Sequence, residues 1–181
     1  EREERWCRPG HRGPAHVTVD RTGAPFQEVS PAMTIATEIP TPLKLYMEGL
    51  RTHDLEKIGA SFAEDIRFVT PARTMGTDEI LAFLAALYQG FPDWSYDNDP
   101  PVLTGDGAIG VKWRQGGTHT GPLAFPGFHS YPATGRQVTI PEHFFYYRVD
   151  DRGLHEIRPD PIPGGAPRGI FEQIGVEHPP L

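Results

Sequence analysis

The spacing of hydrophobic and polar positions changes partway along this chain, from helical to alternating, and that change sets the expected architecture. Thr41-Pro42 reads as a helix start, an N-cap residue followed by proline at the first helical position. Leu43, Met47 and Leu50 then form one apolar stripe, with Leu45 and Tyr46 beside it. Asp54 is expected to cap a second short helix that turns Leu55, Ile58 and Phe62 inward, and residues 66–69 read as a strand ended by Pro71. Thr77-Asp78-Glu79 opens a third helix with negative charge in its first turn, and Gly90 closes it after Leu81, Leu84, Leu87 and Tyr88.

Beyond Phe91-Pro92-Asp93-Trp94 the pattern is that of strands. Residues 95–99, 102–104 and 108–114 are short candidates, separated by Pro100-Pro101 and by Gly105-Asp106-Gly107. The strongest signal covers residues 137–159, two arms closed by the turn Asp150-Asp151-Arg152-Gly153. In the first arm His143, Phe145 and Tyr147 share one face, while Glu142, Phe144, Tyr146 and Arg148 share the other. Rings on both faces predict a central strand, covered by a helix on one side and by another chain or a pocket on the other. In the return arm Leu154, Glu156, Arg158 and Asp160 fall on one side, His155 and Ile157 on the other. Helices first and sheet second predict an α+β domain whose helices cover one face of a mostly antiparallel sheet.

Residues 122–133, with Phe125, Phe128 and Tyr131, form a long aromatic connection expected to be exposed and to act as a lid. Residues 168–175 read as a terminal helical turn. Residues 1–40, interrupted by proline and glycine, read as an irregular arm with residues 16–19 and 26–29 as candidate hairpin arms; residues 41–176 form the domain and 177–181 a tail.

A length of 181 residues suits one domain with a sizeable core. The net charge of −7 and the absence of any Lys/Arg stripe argue against nucleic acid and against anionic membrane surfaces as partners. The longest apolar run, residues 80–87, is too short to span a bilayer, and the first residues show no signal-peptide core, so cytoplasmic residence is expected. A lone cysteine, Cys7, excludes an internal disulfide and a thiolate cluster. Cys7, His11 and His16 lack a fourth ligand at the usual spacing, so no metal is expected there.

The element order, with Phe91-Pro92-Asp93-Trp94 after the third helix, resembles the nuclear-transport-factor-2-like superfamily. Later residues narrow the resemblance: Trp113, Gly117-Thr118-His119-Thr120-Gly121, Pro132-Ala133-Thr134-Gly135-Arg136, Tyr147-Arg148-Val149 and Glu172-Gln173-Ile174-Gly175 together resemble the SnoaL-like polyketide cyclases over residues 41–176. That resemblance implies a curved antiparallel sheet wrapped around three helices into a cone with a ligand cavity at its open end. It also implies a homodimer paired through the outer sheet face. The namesake enzymes close a ring by an intramolecular aldol step without metal or cofactor, using an Asp after the last core strand; other members isomerise, dehydrate or hydrolyse small molecules, or have no demonstrated activity. Here Arg158 stands where the family has a Trp, and Asp160 follows it more closely than the family spacing.

An aldol or isomerisation step needs a base for a proton next to a carbonyl and a donor for the enolate oxygen that develops. Asp160 is the candidate base, strengthened by desolvation in a cavity ringed by Trp113, Phe145 and Tyr147. Arg158 would weaken it as an ion-pair partner, or bind an anionic substrate instead. His119 and His143 are candidate oxyanion donors or proton shuttles; the structural alternatives are a turn in which His119 bonds backbone and a half-buried strand position for His143. Tyr46 is a candidate hydroxyl donor, and Trp94, Trp113 and Phe145 are candidate walls. No Ser or Cys nucleophile has a recognisable partner. Three readings stay open: a cofactor-independent cyclase, isomerase or hydrolase acting on an apolar carbonyl or ester compound, a dimer that binds such a molecule without altering it, and a structural module whose cavity is packed shut.

Overall fold

A computed structural model of the protein describes residues 33–177; the candidate hairpin within residues 16–29 and the Cys7, His11, His16 set lie outside the described residues. Strand β1 (Thr34–Ile35) comes first, so the sheet reaches into the stretch expected to be irregular. Helix α1 (Thr41–Thr52) begins one residue before the expected start: Pro40 holds the N-cap position without a side-chain cap, and Pro42 fills the first turn. The amphipathic stripe buries Leu43, Tyr46, Met47 and Leu50. His53, in the left-handed conformation, ends α1, and Asp54 accepts the Lys57 N–H at 2.9 Å to start α2 (Leu55–Ala60). A Cβ on Gly49 would come 2.7 Å from Ile58 Cγ1, which is why these two helices pack so closely.

Phe62, expected to belong to the second helix, instead opens strand β2 (Phe62–Val69). The helix stops because buried Ser61 turns both its N–H and its hydroxyl back onto Ile58 O, at 3.1 and 2.5 Å. Strand β3 (Thr74–Met75) precedes α3 (Thr77–Gly90), whose Glu79 accepts the Gly76 N–H at 3.3 Å. Strands β4 (Ser95–Asn98), β5 (Val102–Leu103), β6 (Ile109–Thr118), β7 (Gln137–Asp150) and β8 (Gly153–Pro159) follow, and α4 (Arg168–Ile174) ends the described fold. The architecture is α+β, as the pattern predicts.

The sheet runs β1-β5-β6-β7-β8-β2-β3, with β4 pairing along β6 beyond β5. Every pairing is antiparallel except β2 with β8. Strand β6 continues four residues past its expected end, because 115–118 pair with 137–140 of β7 despite two glycines. Strand β7 is central, as its two-faced aromatic pattern requires, but its outer face carries half-exposed rings and ion pairs, uncovered by any described element.

Two bulges set which side chains face the core. Between the pairs Gln115↔Ile140 and Trp113↔His143, β7 has one residue more than β6, so Pro141 and Glu142 together oppose Arg114. Val138 and Ile140 point inward before the bulge; His143 and Tyr147 are buried after it. The second bulge lies in β8 between the pairs Arg148↔Glu156 and Val149↔Leu154. It overturns the expected split of the return arm: Leu154 and Ile157, three residues apart, are both fully buried, and the extra residue, His155, turns out to the Asp65 and Asp150 carboxylates at 2.5 and 2.9 Å.

Candidate functional site

The inner sheet face, α1 and α3 surround a cavity of about 750 Å³, the size of an ordinary ligand site. The hollow is therefore not packed shut. Three loops form part of its rim, at residues 70–73, 125–128 and 159–167. The connection expected to be an exposed lid is pinned at both ends. Leu123 and Tyr131 exchange backbone hydrogen bonds at 2.8 and 2.9 Å, Phe125 is 2% exposed and stacks on Phe83 at 4.4 Å, and Phe128 and Tyr131 pack against Phe171 of α4. Phe171 of α4 gives all three rings an apolar partner, burying Phe125 and half-burying the other two, so the loop behaves as wall.

Of the candidate residues, Tyr46, Trp94, Trp113, His143, Phe145, Tyr147 and Asp160 line the cavity; His119 and Arg158 do not. His119 is fully buried in a joint between α3 and the 134–136 segment. Its N–H donates to Arg136 O, its carbonyl accepts from Gly135 N, its Nδ1 meets Thr134 Oγ1 at 3.0 Å, and its ring stacks on Phe91. Burial pushes its pKa down, disfavouring the charged ring. Thr120 and Gly121 both donate to Gly90 O, and a Cβ on Gly121 would stand 2.0 Å from Gln89 O. The Gly-Thr-His-Thr-Gly motif thus clasps the end of α3, a structural role.

Arg158 faces outward opposite Tyr146, 5.4 Å above its ring, and pairs with Glu156 at 3.8 Å. Alternation explains Asp160 as well. Pro159 opposes the inward Phe145, so Asp160, whose N–H donates to Phe144 O, turns to the outer side. Its carboxylate approaches the Tyr146 hydroxyl, whose pKa is raised by burial first and by Asp160 second. Asp160 is the one carboxylate in the lining, and it contributes to the rim rather than to the interior.

His143 is placed differently. It is 8% exposed, faces the cavity directly across from Trp113, and its Nδ1 lies 2.8 Å from Pro141 O in the bulge. A carbonyl accepts, so Nδ1 carries a hydrogen, and Nε2 is the nitrogen left to exchange a proton. Further in, Trp113 Nε1 donates to Tyr147 Oη at 2.8 Å, and the Tyr46 ring lies 5.7 Å from that of Tyr147. Burial, with the neighbouring hydroxyls next, pushes Tyr46 and Tyr96 well above the ordinary phenol value; burial also raises Tyr147, and Tyr88 to about 12. The interior therefore offers neutral donors. Among the described residues, no group of three His, Cys, Asp or Glu side chains could hold a metal ion.

Sequence reasoning missed Phe68, Tyr96, Gln115, Phe125 and Ile140 as lining. Alternation in 95–98 marks Tyr96 as inward-facing; Phe125 gives no such signal because its burial depends on α4. Gln173 was noticed only as part of a motif. Its side-chain amide accepts from Thr139 N and donates to Thr139 O, both at 3.0 Å, completing the β7 backbone as a strand neighbour would.

A family model described as SnoaL-like domain matches residues 43–155. Among solved structures, AclR from Streptomyces galilaeus, proposed to be a hydroxylase, is similar with a TM-score of 0.58 and 16% identity over 74% of this chain and 78% of that one. A protein from Jannaschia sp. CCS1, proposed to be a SnoaL-like polyketide cyclase, has a TM-score of 0.58 and 19% identity over 79% and 98%. TerC, co-crystallised with polyporic acid, has a TM-score of 0.52 and 15% identity over 74% and 95%. Identities this low speak to fold alone. No curated protein matches the sequence. Among the described residues, no helix is long and apolar enough to cross a membrane.

Proposed function

The chain belongs to the SnoaL-like domain family, and from that premise we propose that its cavity takes a small, apolar, ring-bearing carbonyl compound and moves a proton on it by cofactor-independent acid–base chemistry, as a cyclase or isomerase would. The observation that carries this reading is His143: an imidazole facing a 750 Å³ aromatic hollow, with Nδ1 held by Pro141 O and Nε2 left to exchange a proton. His143 Nε2 takes the proton from the carbon next to the carbonyl. The C–H electron pair becomes a C=C bond, and the carbonyl pair moves to oxygen, where neutral phenols hold it. Asp160 is a rim residue in this scheme, and Arg158 has no part in it.

Exchange of the α-hydrogens of 2-tetralone for deuterium, followed by NMR in D2O, tests the proton step without knowledge of the natural substrate. The wild type is expected to accelerate exchange, and His143→Gln to lose on the order of 100-fold of that acceleration. No acceleration by the wild type would remove the catalytic reading. A second reading, binding without turnover, is favoured by the outward turn of Asp160, and saturable binding of 2-tetralone without exchange would select it.

The proposed assembly is a homodimer paired through the outer sheet face. It is supported by the stacked Phe144 and Tyr146 rings, 5.9 Å apart and half-exposed there.

A further inference from the structure

One wall of the cavity carries phenol hydroxyls whose hydrogens are only partly taken up by the protein's own acceptors. The Trp113 indole hydrogen goes to Tyr147 Oη at 2.8 Å. Tyr88 Oη and Tyr96 Oη, 3.4 Å apart, share one hydrogen between them. The Tyr147 hydrogen, the second hydrogen of the Tyr88–Tyr96 pair and the Tyr46 hydrogen find no acceptor among the described residues. Tyr46 is only 4% exposed and lines the cavity, its ring 5.7 Å from that of Tyr147. Donors that face a hollow in this way are costly to leave unmatched once a ligand excludes water from it. Tyr46, Tyr96, Trp113 and Tyr147 all line the hollow, and the Tyr96 and Trp113 rings meet edge to face at 5.8 Å, so the donors belong to one patch.

We propose that Tyr46, Tyr96 and Tyr147 form a subsite for a ligand oxygen that accepts hydrogen bonds and brings no hydrogen of its own, a ketone oxygen or the enolate oxygen derived from it. The inference rests on the proposal that the cavity binds a small molecule, and it names which end of that molecule goes where. The oxygen sits at the phenol patch, and the hydrocarbon rings extend along Phe68 and Phe145 toward the rim. A hydroxyl-bearing ligand would bring one more hydrogen to a patch whose own hydrogens are not all engaged. An apolar end would leave the patch unsatisfied, so neither is the matching partner. The buried phenols, held in the protonated form, remain donors across the physiological pH range.

Two probes of nearly equal shape separate the subsite from the cavity: 2-acetylnaphthalene and 2-isopropenylnaphthalene, which exchange C=O for C=CH2. Dissociation constants for both are read from tryptophan fluorescence quenching of the full chain, and the ketone's C=O stretch is read by infrared difference spectroscopy. Tyr46→Phe is expected to weaken the ketone roughly tenfold and the alkene by less than about twofold. The bound C=O stretch, lowered in the wild type, should rise in the variant; Tyr96→Phe should act in the same direction on both readouts. An equal change for both probes, or an unmoved C=O stretch, would overturn the subsite while leaving the cavity's ligand role intact. If neither probe binds the wild type, the small-molecule reading itself falls, and the subsite with it.

Discussion

The inner and outer faces of β7 carry aromatic rings alike and put them to opposite use. Inward, His143, Phe145 and Tyr147 meet Trp113, Val111 and Ile109 across the β6–β7 pair, and the phenols there are held neutral by burial. Outward, Phe144 and Tyr146 meet Lys112 and Gly110, with the Lys112 ammonium 5.6 Å from the Phe144 ring and Arg158 5.4 Å from the Tyr146 ring. Arg114 on the same face bonds Asp97 and Asp99, the latter at 2.7 Å. Ring content placed the strand in the middle of the sheet. The residues opposite, Val111 and Trp113 against Lys112 and Arg114, decide which face becomes cavity wall.

Substitutions on β6 put that contrast under the greatest strain. Trp113→Ala removes a side chain 1% exposed and the donor to Tyr147, and should cost about 3–5 kcal/mol in urea denaturation. Arg114→Ala, one residue away on the outer face, where its ion pairs are open to solvent, should cost far less. Equal costs would mean the two faces are not energetically distinct. The next effect concerns assembly. Sedimentation of the wild type should give twice the 20.1 kDa chain mass, and Phe144→Glu the chain mass. A wild type at chain mass would refute pairing through the outer face.

A smaller effect is expected at the β8 bulge. His155 lies between Asp150 and Asp65, whose hydrogen bonds raise its pKa above the ordinary imidazole value; the same bonds lower both carboxylates. A raised folded-state value stabilises the fold fully below the unfolded pKa and loses that contribution as pH rises through the folded one. The Tm advantage of wild type over His155→Gln should therefore be largest just below about pH 6.5 and fade at alkaline pH. An advantage that grows with pH would show that the imidazolium bridge is absent.

Much of the fold was legible because local rules and packing agreed. The α1 stripe, the Asp54 cap, the Asp150–Gly153 turn and the central place of β7 all follow from spacing and turn chemistry. What failed depended on partners distant in the chain. Phe125 is buried by Phe171 of α4, 46 residues later, and β6 outruns its glycines because β7 supplies pairing. At the site, Asp160 and Arg158 were placed by family position. Alternation counted from Phe145↔Pro159 and Tyr146↔Arg158 turns Arg158 outward and leaves Asp160 at the rim, and that count needs the register. The Tyr46, Tyr96 and Tyr147 patch was legible only in part, since no spacing rule brings together two strands and a helix.

The extra residue at Pro141–Glu142 bears on folding fidelity. A strand with aromatic rings on both sides does not say by hydrophobicity which side is which, and slipping by one position would trade His143, Phe145 and Tyr147 for Glu142, Phe144 and Tyr146 at little loss of buried ring. Pro141 has no N–H to give to a regular ladder, and its carbonyl is already taken by the imidazole it displaces inward. The irregularity is thus the marker by which the chain tells right register from wrong, and His143 is delivered to the cavity by the same device that prevents misalignment.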